Sequence, residues 1–471
     1  MGRRLVVLAP LALAGCVVGP HYAGPPQVAP QAADHFVRAG DLAVAAPAVA
    51  PWWRSLDDPT LDALIARALA NNPDVAVAQA RLRQARAALG LEKANALPKT
   101  NATALYAHAH LPGVNLGQSG SGGNGGSTTD LNLYNVGFDA SWEIDLFGGE
   151  RHKLEAARAT AEAAQADSAD AEVSLSAEVA KAYVALRDRQ RRIALNARSV
   201  AMEEQMLALT RQRYAAGTAS HLDVARLDTD LANTRADAVP LNADRDAYLD
   251  ELATLTGDPP GALDAALGPP RPVPLPPPVL AIGDPAALIR RRPDIRSAER
   301  TLAADTARIG VAEAARFPRL SFMGIIGIGG TKPSDLTKLD DFTLLAAPQL
   351  SWSFLDFGRS KAQVEKARAV RDEAEAQYRS KLLAALRDAE DSLSRFRYRR
   401  VTVATLARAK ASADDAARLS AQRYQAGTTT LIDLLDIQRQ QIAAEQALST
   451  AEAQLTTDYV AIQKAMGFGW K

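Results

Sequence analysis

Cys16 is the only cysteine among 471 residues, so the chain can build neither an internal disulfide framework nor a Cys-based metal cluster. Its thiol follows the apolar run Leu5 to Ala14, which Arg3 and Arg4 precede. A lone thiol just after an apolar run is a candidate nucleophile. The six histidines are scattered. His108-Ala109-His110 sets two imidazoles on one strand face, but no third ligand accompanies them and no metal is expected. The sequence has no GxSxG, HExxH or Walker-type loop, so neither an enzyme nor a cofactor is expected. What does recur is Arg-Tyr-x-Ala-Gly-Thr, at 213–218 and again at 423–428. A repeated motif without catalytic groups points to structure and not to chemistry.

A charged start followed by a short apolar run reads as a secretory signal over residues 1–15. Leu13-Ala14-Gly15-Cys16 is similar to the lipobox of bacterial lipoproteins. That resemblance implies cleavage before Cys16, a diacylglycerol on its sulfur and an acylated amine. Several acyl chains at about 0.8 kcal/mol per buried CH₂ make a lasting anchor. Val17 follows, where an aspartate is associated with inner-membrane retention, so outer-membrane sorting is expected. Elsewhere 54 basic residues balance 54 acidic ones, leaving no net field to draw in nucleic acid. No later segment reaches the roughly 18 consecutive apolar residues of a spanning helix. Any membrane crossing must therefore use strands.

The chain is duplicated. Ser141-Trp142, Phe147-Gly148 and Ala157-Arg158-Ala159 reappear 210 residues later as Ser351-Trp352, Phe357-Gly358 and Ala367-Arg368-Ala369. Asp223 pairs with Asp433 at the same offset. Pro73-Asp74, Gly90 and Pro98 pair instead with Pro293-Asp294, Gly310 and Pro318, 220 apart. The first repeat thus carries a longer loop, for which the Gly/Ser/Asn-rich stretch 117–129 is the obvious source. The expected organisation is a signal (1–15), an extended lipidated segment (16–56), a first repeat (57–257), a proline-rich linker (258–283), a second repeat (284–466) and a short tail (467–471).

Each repeat reads as helix, two strands, then two very long helices. Residues 57–97 carry Leu61, Leu64, Ile65, Ala68 and Leu69 at helical spacing, and Pro98 ends the run. Over 132–146 the period becomes two. Tyr134, Val136, Phe138, Ala140 and Trp142 share one face, against Asn135, Gly137, Asp139 and Ser141. Residues 342–354 alternate likewise, and 99–111 and 318–330 are the partner strands. An apolar face ending at Trp142 or Trp352 fits a lipid-facing strand with an interfacial aromatic girdle. The alternative is a sandwich strand over a core, but no second sheet is available to cover four strands. Open edges are not tolerated in lipid, and the smallest barrels use about 8 strands. Closure requires several copies, and three supply twelve strands.

Glu150 to Tyr214 and Arg359 to Tyr424 run without a breaker, roughly 97 Å of helix each at about 1.5 Å per residue. The series Leu154, Ala157, Ala161, Ala164, Ser168, Ala171 and Leu175 forms a seam of mostly small residues suited to close packing. A plain coiled-coil rod would use the same pattern. Gly217 and Gly427 suit the left-handed position that stops a helix. Ser220-x-x-Asp223 and Thr430-x-x-Asp433 are capping boxes that start the return helices. Each repeat thus ends in an antiparallel hairpin. Its tip is either a well-capped corner or a docking surface for a partner.

With these elements in place the sequence resembles the TolC/OprM-like outer-membrane factors, in their lipoprotein (NodT-like) branch. The resemblance is carried by Cys16 to Tyr22, Trp52-Trp53, Asn71-Asn72-Pro73-Asp74, Arg291-Arg292-Pro293-Asp294, Ala307 to Ala312, Phe317-Pro318-Arg319-Leu320 and both tip motifs. It implies an α+β membrane protein: a trimeric twelve-stranded β-barrel, four strands per chain, continued by a long α-helical barrel of coiled hairpins. An equatorial domain of chain ends and linker is implied as well. The implied partners are a periplasmic adaptor (membrane fusion protein), an inner-membrane transporter of the resistance-nodulation-division type, and outer-membrane lipid. Adaptor hairpins would dock at Arg213, Tyr214, Ala216, Gly217 and Thr218, and at Arg423, Tyr424, Ala426, Gly427 and Thr428. The family's periplasmic gate pattern falls on Ile432, Asp436 and Arg439. The first repeat has Arg226 where the second has Asp436, so the two hairpins cannot gate identically. Three symmetry-related Asp436 carboxylates would narrow the tip and favour cations; a solvated helix face is the alternative.

The function implied is the outer-membrane channel subunit of a tripartite efflux pump, passing small molecules to the exterior. A type I secretion duct for proteins shares the fold. A periplasmic adaptor lipoprotein is the other rival, but it would carry one hairpin and lipoyl-like strands, not two hairpins at a fixed offset. Nothing in the sequence names the cargo.

Overall fold

The computed structural model describes residues 17–26, 36–38, 43–45, 51–112, 128–282, 285–338, 340 and 342–470. The signal segment, Cys16 and residues 113–127 of the glycine-rich loop lie outside them.

Residues 57–97 form two helices where one was expected: α1 (Pro59–Asn71) and α2 (Pro73–Asn95). Asp58 caps α1, accepting the N–H groups of Thr60 and Leu61 at 2.9 and 3.2 Å. The break falls at Asn72-Pro73. Proline disfavours a helical residue before it, and Asn72 is extended (φ −66°, ψ 129°). Its side-chain Oδ1 then caps the next helix, accepting from Asp74 and Val75. Leu61 and Ile65 on α1 are fully buried, each contributing about 2 kcal/mol.

Four strands form at the predicted places: β2 (Lys99–Pro112), β3 (Thr128–Ile144), β5 (Arg319–Gly330) and β6 (Phe342–Ser351). They form one antiparallel sheet in the order β2-β3-β5-β6. Register puts Ala104, Val136 and Ile328 side by side, with Phe342 next in the row. A second row joins Ala102, Phe138, Ile326 and Leu344. Val136, Phe138, Phe342 and Leu344 are exposed on this face. From Tyr134 to Trp142 it runs about 26 Å along the strand at about 3.3 Å per residue. Two short strands the sequence did not announce, β1 (Ala43–Ala45) and β4 (Leu280–Ile282), pair in parallel and join the N-terminal segment to the linker.

The long helices are α3 (Gly149–Ala215) and α8 (Arg359–Gln425), each of 67 residues. Their return helices are α4 (His221–Leu255) and α9 (Leu431–Ala465). Of the predicted α3 seam, Ala161, Ser168 and Leu175 are buried and the other members half-buried, while Ala156, Ala159 and Ala166 are buried beside it. Pro240 interrupts α4 and removes one i to i−4 bond; the matching position in α9 is Thr450. The linker holds a short α5 (Asp264–Leu267), and α6 (Pro285–Arg291) and α7 (Pro293–Ala314) open the second repeat.

Two compact units result, and they are not the two repeats. Each takes matching portions of both. One unit comprises residues 1–26, 83–163 and 299–377 and holds the four-stranded sheet. The N-terminal segment straps onto its helices. Val18 N–H donates to the Phe147 carbonyl at 3.1 Å, and a Cβ on Gly19 would lie 2.6 Å from Gly310 Cα. The fully buried His152 packs beneath, its Nε2 3.0 Å from the Val18 carbonyl. The other unit comprises 27–82, 164–298 and 378–471 and holds both hairpin tips. Its core draws on the chain ends and linker through Trp52, Leu267 and Phe468, packed with Leu252 and Val460 of the return helices.

Candidate functional site

The two hairpin tips share one backbone turn geometry. In the first, Gly217 sits at φ +70°, and a Cβ added there would meet nothing within 4 Å. Only the left-handed backbone, not crowding, requires glycine there. The N–H of Thr218 donates to the Arg213 carbonyl at 2.8 Å and that of Gly217 to Tyr214 at 2.9 Å, a Schellman closure. In the second, Gly427 is again at φ +70°, and Thr428 and Gly427 donate to Arg423 and Tyr424 at 2.9 and 3.0 Å. The Thr218 and Thr428 hydroxyls each add a 3.0 Å bond to the same carbonyl. With its carbonyls so consumed, the backbone turns tightly and leaves Tyr214 and Tyr424 exposed.

The return helices start with the predicted boxes. Asp223 N–H donates to Ser220 Oγ at 3.1 Å while Ser220 N–H donates to Asp223 Oδ2 at 2.9 Å. Thr430 and Asp433 repeat this at 3.1 and 3.2 Å. The Ser220 hydroxyl bond, then its N–H, holds the Asp223 carboxyl below the ordinary carboxylate range. Thr430 does the same for Asp433, and Arg213 of the first tip adds a smaller favourable charge.

One turn into α9, Arg439 Nη2 donates to Asp436 Oδ1 at 3.0 Å, and Gln440 Nε2 donates to Oδ2 at 3.0 Å. Both side chains of the ion pair are about half exposed. Ile432 is partly exposed one turn earlier, with Leu434 and Leu435 buried between. The three predicted gate positions therefore lie together on one helix, with an intact carboxylate–guanidinium pair.

Sequence reasoning missed two polar ties in this unit. Glu445 on α9 accepts from Arg191 and Arg198 of α3, the latter at 2.9 Å, and so links the two hairpins. Arg187 on α3 is fully buried. Its Nη1 donates to the Leu267 and Pro269 carbonyls at 3.0 and 2.9 Å, clamping the linker. Tyr183 lies under its guanidinium and donates to Asp58 Oδ2 at 2.6 Å. Burial, followed by that bond to Asp58, pushes the Tyr183 hydroxyl up.

On the sheet, Trp142 Nε1 donates to the Ala96 carbonyl at 3.2 Å and Trp352 Nε1 to the Arg316 carbonyl at 3.0 Å. Ala96 and Arg316 stand 220 apart, the offset of the first duplicated block. The tryptophans thus cap equivalent strand ends through equivalent bonds. Tyr106 and Tyr134 pack with their rings tilted and their centroids 4.9 Å apart, toward the opposite end of the same face. An apolar face between two aromatic rows is the pattern of a membrane-spanning β-sheet.

A family model described as "Outer membrane efflux protein" matches residues 64–258 and 285–468. Nodulation protein T of Rhizobium leguminosarum bv. trifolii is 30% identical over 462 residues, 98% of this chain and 96% of that protein. The pyoverdine export outer membrane protein OpmQ of Pseudomonas aeruginosa is 34% identical over 425 residues, 89% and 87% of the two chains. A solved structure of the outer-membrane channel OprN is 36% identical, with a TM-score of 0.87 over 97% of this chain and all of that one.

Proposed function

Since the chain belongs to the outer membrane efflux protein family, we propose that it forms a lipid-anchored channel gated at its hairpin tips. Membership makes it the outer-membrane channel of an efflux pump, a homotrimer working with an adaptor and an inner-membrane transporter, and not an enzyme. The observation that carries the reading is the open four-stranded sheet with its exposed apolar face. β2 and β6 are its unpaired edges, and lipid does not tolerate such edges. Joining β6 of one copy to β2 of the next, three times, closes twelve strands.

The finer assignments rest on the residues. Cys16 carries the lipid and tethers the strap that ends at Val18 and Gly19. Exposed Tyr214 and Tyr424, with Arg213, Ala216, Gly217, Thr218, Arg423, Ala426, Gly427 and Thr428, form the adaptor-docking surface. The transporter behind the adaptor is of the resistance-nodulation-division type. Ile432, Asp436 and Arg439 narrow the periplasmic end. The test is the mass of the purified protein in mild detergent, expected at three times the chain plus bound detergent. A monomer retaining full β-sheet signal would overturn the twelve-strand closure. Fatty-acid labelling lost in Cys16→Ser, with the trimer kept, tests the anchor separately.

A further inference from the structure

β2 and β3 stay paired for six residues beyond Tyr106↔Tyr134, whereas β3 and β5 part at Tyr134↔Gly330. The projecting ribbon carries His108 opposite Asn132 and His110 opposite Asp130. Alternate residues of a strand share a face, so both imidazoles continue the Tyr106 side of the sheet, past its aromatic row. His108 Nδ1 lies 2.9 Å from Asn132 Oδ1, and His110 Nδ1 lies 2.6 Å from Asp130 Oδ1. Asn132 Oδ1 also accepts from the Tyr106 hydroxyl at 3.3 Å. The Asp130 carboxylate can only accept, so the His110 Nδ1 donates to it; the Asn132 amide oxygen asks the same tautomer of His108. In the neutral rings each Nε2 then offers its lone pair, and both rings are exposed.

We infer that His108 and His110 form a two-imidazole chelate for a divalent transition cation of the copper, nickel or zinc type. An oxygen acceptor on Nδ1 is the arrangement that orients a ligating histidine and raises its basicity. Here both members of a pair have it, from the neighbouring strand. Two residues of strand set their Cβ atoms about 6.7 Å apart, a span two rings can close over one ion at Nε2–metal distances of about 2 Å. Water completes the coordination, in keeping with the lack of any group of three ligating side chains among the described residues. The site is a surface chelate, not a structural metal centre. The Irving–Williams order puts Cu²⁺ first among these ions. The inference rests on the strand pair alone and stands apart from the gate and adaptor assignments.

The test is titration of the full-length protein, purified without a histidine tag, with Cu²⁺ followed by electron paramagnetic resonance. One ion per chain with two-nitrogen coupling is expected. His110→Gln should lower affinity at least tenfold and remove one nitrogen; His108→Gln combined with His110→Gln should abolish the signal. Asp130→Asn, which leaves both ligands in place, should weaken binding about tenfold. All side chains concerned are exposed, so trimer mass and β-sheet content should match the unaltered protein. Failure of the unaltered protein to bind, or equal binding by the double variant, overturns the chelate.

Discussion

Asn72 donates its Nδ2 to the carbonyl oxygen of Leu255 at 3.0 Å, tying the α1–α2 break to the end of the first return helix. The second repeat makes the same tie with a different residue. Arg292 Nη1 donates to the Ala465 carbonyl at 3.0 Å, and 255 and 465 are equivalent positions. The neighbouring glycines, Gly257 and Gly467, both take positive φ (+79° and +71°) and lie against residues 71 and 292. Arginine, with donors to spare, also grips Asp294 through Nε and Nη2 at 2.9 and 2.6 Å.

Loss of Arg292 should therefore cost more than loss of Asn72. Burial pushes the Asp294 carboxyl up, but the two Arg292 bonds and the guanidinium charge bring it net below its ordinary value. Arg292→Met strands that carboxylate at a cost of about 3 kcal/mol, against about 1 kcal/mol for Asn72→Ala. A carboxyl depressed in the folded state contributes stability above its unfolded value, lost as pH falls through the folded one. Thermal unfolding should show the two variants far apart at pH 7 and converging below about pH 4. Equal melting shifts at pH 7 would contradict the assignment.

At the tips, Gly217→Ala and Gly427→Ala should each cost about 1 kcal/mol, the strain of a left-handed residue. Open space around both glycines confines the effect to the turn. Amide exchange should quicken at 212–224 or 422–434 while the trimer persists. The capping carboxylates Asp223 and Asp433 are both held low, so the same amides should loosen in the unaltered protein only below the ordinary carboxylate range. Loosening already at pH 6 would mean the boxes do not hold the turn.

Asp436→Ala should raise single-channel conductance in planar bilayers and reduce cation preference. The substitution frees Arg439 and Gln440, which both donate to that carboxylate. An exposed pair contributes about 0–1 kcal/mol, so the gate should leak without standing open. Unchanged conductance and selectivity would reduce Asp436 to a solvated helix residue.

Phe138→Lys and Thr103→Lys probe the two faces at matched height, since Thr103 stands opposite Gly137. A lysine toward mid-bilayer lipid costs about 2–4 kcal/mol, so Phe138→Lys should cut the yield of trimer in outer-membrane fractions. Thr103→Lys should assemble normally and shift ion selectivity. The reverse pattern would invert the sheet.

Much of this was legible because periodicity and repetition reinforce each other. Trp142 and Trp352 announced matching strand ends, and Gly217 and Gly427 announced matching turns, each from two copies of one signal. The break at Asn72-Pro73 was hidden by an apolar spacing that continues across it, although the proline itself was plain. Strands β1 and β4, three residues each, are too short to show a period. Arg187 was illegible for another reason. In a run with Arg189, Arg191 and Arg192 nothing local marks it as the one that α5 and the linker bury. The compact units were illegible too, because they are assembled by contacts between the repeats and not by order along the chain.

The stack of Gly19 on Gly310 on His152 constrains how this sequence can drift. A Cβ on Gly310 would come within 2.4 Å of the imidazole, and one on Gly19 would meet Gly310 Cα. A side chain gained at 310 thus requires the ring at 152 to shrink, and one gained at 19 requires the strap to lift. In an alignment of relatives, the three positions should change as a set: bulk at 310 should appear only where 152 is small.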